Sequence, residues 1–198
     1  DVTETVRGGG FSVFDNAQSV RGINAEGGAA KLSRKEIDAL GELVKTYHAK
    51  GLAWLTLDAE GKVKSSFAKF LSDVSLKALL GTMNAQPGDA LFFVADKPDI
   101  ACTALGQLRL HLGHKFGLVD ENRYDLLWVT EFPLLEWDEE AGRFLAMHHP
   151  FTSPMDEDEQ YMETDPGRVR AKAYDLVLNG VEMGSGSIRI HESALQER

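Results

Sequence analysis

The sequence predicts an α+β chain in which antiparallel strands, paired by hairpins, are covered by helices on a two-layer plan. Three observations predict it. Between residues 11 and 117, short apolar runs alternate with segments whose apolar residues recur every three or four positions. Ser33 is followed three residues later by Glu36, the signature of a capped helix start. Near the C-terminus, Asn179-Gly180, the strongest two-residue signal for a type I′ hairpin, stands between two apolar runs.

In order, Phe11-Ser12-Val13-Phe14 reads as a strand with Arg21 to Ala25 as its partner. Gly27-Gly28 leads to Ser33, and Ile37, Leu40, Val44 and Tyr47 form the buried stripe of a helix ending near Gly51. Leu52 to Leu57 is a buried strand, and Gly61 turns the chain toward Lys62 to Ser66. Asp73 is expected to cap a second helix carrying Leu76, Leu79, Leu80 and Met83 on one side. Ala90 to Ala95 is another strand. Pro98 opens a long helix that buries Ala101, Ala104, Leu105, Leu108 and Leu112 and stops near Gly117. Gly8-Gly9-Gly10 and Asp120 to Arg123 are the expected hinges.

The stretch from Ala173 to His191 carries the most chemistry. A two-residue loop at Asn179-Gly180 places Leu178 opposite Val181, Val177 opposite Glu182 and Asp175 opposite Gly184. Asp175, Val177 and Glu182 then share one face, with the two carboxylates close enough to hold one divalent cation. Tyr174, Leu176, Leu178, Val181 and Met183 form an apolar layer on the other face, which the hairpin is expected to bury. Straight parity from Glu182 would put Arg189 in the core. One extra residue within Gly184-Ser185-Gly186 would bring Arg189 onto the face of Asp175 and Glu182, and glycines in a strand are where bulges form.

Upstream stands Ala146-Met147-His148-His149-Pro150-Phe151-Thr152-Ser153-Pro154. Pro150 disfavours helical geometry at His149, so the two histidines belong to an extended segment or a turn at a strand end. This word, together with Trp128 to Trp137 and Thr164 to His191, resembles the catalytic domain of bacterial-type aspartyl-tRNA synthetases, which are class II enzymes. Residues 10–118 are similar to the insertion (GAD) module of the same enzymes, through Ala68 to Leu71, Gly88 to Asp96 and Ala104 to Leu110. One departure is Ser185, where the family usually has a third glycine. The family's anticodon-binding barrel, its dimer-forming motif and its two ATP-binding arginine motifs find no match here.

The resemblance implies an internal stretch of a longer ligase. Residues 1–9 are then a connecting segment, 10–118 a two-layer antiparallel-sheet and helix module, 119–125 a linker, and 126–198 part of the class II antiparallel catalytic sheet. It implies activation of aspartate by ATP and transfer to tRNA, with the isolated stretch inactive. By the same resemblance Asp175 and Glu182 bind magnesium, Glu182 also meets ATP, and Arg189 grips the side-chain carboxylate of aspartate. His148 contacts the substrate beside His149, so His148, His149 and Arg189 form the catalytic set in this chain. Most tRNA contact is expected in parts outside the chain, in a cytoplasmic homodimer. The alternative is that the insertion module works here without catalysis, binding tRNA or a protein partner.

Composition bounds these readings. The 198 residues contain 43% hydrophobic side chains, enough for a core, and no apolar run approaches a membrane span. No signal peptide is recognisable. The single cysteine, Cys102, forbids an internal disulfide and is expected as a small packing residue on a helix. A net charge of −10 opposes phosphate binding, and much of the excess lies in Glu136 to Glu140 and Met155 to Asp165, which read as solvated loops. Gly8-Gly9-Gly10 and Gly27-Gly28 lack the spacing and the lysine of a phosphate loop. His111 and His114 have no further ligand beside them, so an exposed helix face explains them. Trp54, Phe92 and Phe93 have no basic interleaving and read as core.

Overall fold

The computed structural model describes residues 1–198, which divide into two units, Asp1–Asp120 and Glu121–Arg198. In the first unit, two short helices, α1 (Thr3–Val6) and α2 (Ser12–Asp15), precede strand β1 (Ser19–Ala25). Then come α3 (Arg34–Lys45), β2 (Ala53–Leu57), β3 (Val63–Ser65), α4 (Asp73–Thr82), β4 (Ala90–Asp96) and α5 (Pro98–Lys115). The four strands form one antiparallel sheet in the order β1-β4-β2-β3.

β4 is central, which explains its composition. Phe92 and Val94 face one side, where they meet Ile37, Leu40 and Val44 of α3 and Ala101, Ala104, Leu105, Leu108 and Leu112 of α5. Leu91 and Phe93 face the other, against Phe14, Phe67 and Leu79. All four β4 side chains are fully buried, each contributing about 1.5–3 kcal/mol of transfer free energy. Helices therefore cover both faces of the antiparallel sheet, the short ones lying on the face that the sequence left without cover. Val6 of α1 and Val2, which precedes it, are part of that second core.

Three local expectations are corrected. Phe11–Phe14 is not a strand: Ser12–Asp15 is a helical turn that rolls Phe14 onto Phe67 and Phe93, and the sheet position beside β4 belongs to β1. Four residues, three of them apolar, fit a helical turn as well as a strand. The cap of α4 is Ser72, whose hydroxyl accepts from the Ser75 amide; Asp73 is the first helical residue. Cys102 is exposed on α5, outside the stripe that packs. The capping box of α3 is present in full, with the Ser33 side chain accepting from the Glu36 amide and Glu36 accepting from the Ser33 amide.

The second unit carries β5 (Leu126–Thr130), β6 (Leu135–Asp138), β7 (Arg143–Ala146), β8 (Ala173–Leu178), β9 (Val181–Ser187) and α6 (Ser193–Glu197). β5, β8 and β9 make an antiparallel sheet in that order, and β6 and β7 make a separate hairpin. Its buried core is small, namely Leu134, Val169, Ala171 and Ala173. The layer expected to be buried is largely open instead: Tyr174 is 40% exposed, Val181 62% and Met183 59%, while Leu176 and Leu178 are half-buried. The acidic runs are more ordered than solvated loops. Glu136 and Asp138 lie in β6, and Asp156–Tyr161 is a 3₁₀ turn that buries Asp158.

Charge divides as sharply as the fold. Residues 1–120 hold fourteen basic and fourteen acidic side chains, whereas residues 121–198 hold seven and seventeen, so the whole net charge of −10 sits in the second unit. No helix of the chain is long and apolar enough to cross a membrane.

Candidate active site

The hairpin β8–β9 is the floor of the site. Its turn has the left-handed backbone of a type I′ loop, with φ of 48° at Asn179 and 83° at Gly180. Asn179 does more than turn. Its side-chain oxygen accepts from the Asp125 amide at 2.9 Å and its Nδ2 donates to the Arg123 carbonyl at 2.7 Å, which fastens the entry to β5.

Leu178 stands opposite Val181 and Val177 opposite Glu182. The register then shifts, so that Leu176 faces Gly184, Asp175 faces Ser185 and Ala173 faces Ser187. Met183 is thus the extra residue. The bulge comes just before Gly184-Ser185-Gly186, and Asp175 pairs with Ser185, not with Gly184. Gly186 serves a different need: a Cβ there would lie 2.7 Å from the Tyr174 hydroxyl oxygen, so the glycine lets that ring lie across the strand. Ser185 occupies a paired position without positive φ, so the absent third glycine leaves no strain. Residues opposite one another share a face, which puts Asp175, Val177, Glu182, Ser185 and Ser187 on one side. Arg189, two residues beyond Ser187 in extended backbone, has the same parity.

The histidine segment lies beside this floor. The Ser153 amide donates to the Ile188 carbonyl and the Ile190 amide to the Phe151 carbonyl, each at 2.8 Å, and Thr152 is bridged to Arg189. On its other side, the Lys172 amide donates to the Ser153 carbonyl and the Met155 amide to the Arg170 carbonyl, again at 2.8 Å. The segment therefore slots as a short strand between the lead-in to β8 and the tail of β9. Thr152 and Ser153 are buried in that slot.

The two histidines are held differently. His148 is exposed, with its ring edge-on to Phe132 at 4.8 Å. His149 is a turn residue: its Nδ1 accepts from the Phe151 amide at 3.2 Å, its carbonyl accepts from the Thr152 amide at 3.0 Å, and its ring lies against Phe151. An accepting Nδ1 puts the proton of the neutral ring on Nε2.

The salt bridges of this unit join Arg123, Arg170, Lys172 and Arg198 to other carboxylates, and leave Asp175, Glu182 and Arg189 out. The two carboxylates on the floor thus keep their oxygens available, a donor set suited to a hard cation. No group of three or more His, Cys, Asp or Glu side chains converges to enclose a metal by itself.

A cluster missed in the sequence stands at the back of the segment. Arg170 Nε donates to Asp158 Oδ2 at 2.7 Å and its Nη2 to Asp158 Oδ1 at 3.1 Å and to Glu157 Oε1 at 3.0 Å, while Nη1 lies 3.1 Å from Glu131 Oε2. The guanidinium and the Arg170 amide hold the Asp158 carboxyl below the usual carboxylate range, and Asp158 in turn raises the pKa of the guanidinium. The available signal was an arginine at alternate spacing to Arg168 just before a strand, opposite an acidic run.

Residues 12–105 match the GAD domain. Over its whole length the chain is 57% identical to the aspartate–tRNA ligase of Agathobacter rectalis and 57% identical to that of Ruminiclostridium cellulolyticum. It is 55% identical to the aspartate–tRNA(Asp/Asn) ligase of Lachnoclostridium phytofermentans. In each case the chain spans 34% of the length of the curated relative it matches.

Proposed function

We propose, for a chain that belongs to the family of bacterial aspartate–tRNA ligases, that its second unit carries the aspartate-gripping part of such an enzyme's active site. Residues 126–198 are read as part of the catalytic domain and 10–118 as the insertion module, with 1–9 and 119–125 as connections. The observation that carries the reading is the pairing of Phe151, Thr152 and Ser153 with Ile188, Arg189 and Ile190. It sets the histidine segment beside the one arginine that shares the parity of Asp175 and Glu182.

In the proposed reaction a carboxylate oxygen of aspartate attacks the α-phosphorus of ATP, the bond to pyrophosphate breaks, and aspartyl-adenylate forms. The 3′-terminal hydroxyl of tRNA then attacks the activated carbonyl, and AMP leaves. Magnesium, when bound, offsets the charge of the polyphosphate. Asp175 and Glu182 are the residues that would hold it, with Glu182 also meeting ATP. Arg189 pairs with the side-chain carboxylate of aspartate through two hydrogen bonds, and asparagine would lose the charge and one acceptor. His148 contacts the substrate, and His149 fixes the turn that presents it. Such a site works by placement and charge compensation more than by proton transfer. The reading also implies a cytoplasmic, dimeric enzyme whose tRNA contacts lie mostly outside this chain.

Aspartate-dependent pyrophosphate exchange on the full-length ligase tests it. Arg189→Leu should weaken aspartate use by on the order of 3 kcal/mol or more and change ATP affinity much less. Glu182→Gln should show the reverse pattern. An Arg189→Leu enzyme with intact aspartate affinity and damaged ATP binding would remove the role given to Arg189. The 198-residue chain alone should give no exchange above background, because partial constellations catalyse little.

A second reading has its own support. The first unit is electrically neutral and has a core on each face of its sheet, so it is built to fold and act by itself, as a non-catalytic module that binds tRNA or a partner. Tight tRNA binding by residues 1–120 alone would favour it.

A further inference from the structure

Arg170 sits where three segments of the second unit meet. Through Nη1 it reaches Glu131, which follows β5 in a left-handed conformation with φ of 60°. The next residue, Phe132, is the wall against which the His148 ring rests. Through Nε and Nη2 it chelates Asp158, and its own amide donates to the same carboxylate at 3.0 Å. Through its carbonyl it accepts from Met155, the residue that continues the histidine segment.

Most exposed ion pairs do little, because water screens them and long side chains lose entropy in forming them. This one differs in two respects. The Asp158 side chain is only 8% exposed, and the contact is a two-point fork with an additional backbone donor on one oxygen. Without Arg170 that carboxylate would be left buried in a region already rich in like charge. A lysine could supply the charge but not a fork that reaches Asp158, Glu157 and Glu131 together.

We infer that Arg170 is a positioning residue: it fixes both the Phe132 wall behind His148 and the strand that holds the histidine segment against Arg189. Arg170 itself touches no substrate. It sets the distance between two groups that do, an inference that rests on the aspartate-binding reading of His148 and Arg189. A small displacement between such groups is enough to cost rate or affinity.

Two measurements separate this role from the reading beneath it. In the 198-residue chain, amide exchange is followed at Ser153, Met155 and Ile190 in Arg170→Gln and in the isosteric Asp158→Asn. Both variants should exchange about tenfold faster at these three amides, with Val94 and Leu108 of the first unit unchanged. Exchange at parent rates in both variants overturns the positioning role. In the full-length ligase, Arg170→Gln should raise the KM for aspartate about tenfold, leave the KM for ATP unchanged, and be partly rescued by Arg170→Lys. Faster exchange with an unaltered aspartate KM would show that the segment moves without consequence, and the substrate role of His148 and Arg189 would fall instead.

Discussion

Asp175 stands directly across from Ser185 because Met183 has been left out of the ladder. That one unpaired residue reconciles an odd count of seven between Glu182 and Arg189 with a shared face. The first prediction follows from the pairing itself. Deleting Met183 leaves Val177–Glu182, Asp175–Ser185 and Tyr174–Gly186 as partners in a regular ladder, so Arg189 keeps its face. Cross-strand nuclear Overhauser contacts between Asp175 and Ser185 should persist. Inserting one alanine between Ser187 and Ile188 should reverse the parity of Arg189 and, on the proposed reading, cost aspartate use by the full-length ligase about as much as Arg189→Leu, on the order of 3 kcal/mol.

Gly22 pairs with Phe93 in the central sheet, and a Cβ on it would lie 2.6 Å from the fully buried Phe93 ring. Gly22→Ala should destabilise the first unit by roughly 1–3 kcal/mol through overpacking, read as a lower urea midpoint with unchanged slope. A midpoint equal to that of the parent would show that the ring can yield.

Glu36 has its pKa lowered from 4.5 to about 2, first by Lys115 and then by the Ser33 hydroxyl and amide. A carboxyl depressed in the folded state stabilises above its unfolded pKa and loses that contribution as pH falls through its folded one. The first unit should therefore lose stability between pH 4.5 and about 2. Glu36→Gln should flatten that part of the curve, measured as melting temperature against pH. Ser33→Ala, which removes the cap, should cost about 1 kcal/mol at neutral pH.

Limited proteolysis should cut first within residues 117–124, where every residue is exposed and Leu118 and Tyr124 are 73% and 77% accessible. The acidic stretch between Pro154 and Val169, which composition alone makes the weakest point, is tied down by Arg170 and by Lys172 to Asp156. Cleavage there before cleavage at 117–124 would show these ties to be loose in solution.

What the sequence made legible was local. The capping box of α3, the five buried residues of α5, the central strand β4 and the Asn179-Gly180 turn each follow from a pattern confined to one element. Phe11–Phe14 misled because so short an apolar run satisfies two geometries, and only the neighbour of β4 decides between them. The bulge was readable as a necessity of parity but not as a position, since glycines invite a bulge and Gly186 instead makes room for the Tyr174 ring. The Arg170 cluster joins residues 131, 157, 158 and 170, and no spacing along the chain announces such a meeting.

Concentrating all the excess acid in the second unit has a colloidal consequence. That same unit bears the open apolar face of Leu126, Trp128 and Val181 and the two unpaired edges of its sheet. Two copies brought together through those surfaces would each carry ten uncompensated negative charges on that unit into the encounter. Long-range repulsion then holds the sticky surfaces apart in dilute buffer, and added salt, which shortens its reach, is the condition under which such chains should cluster.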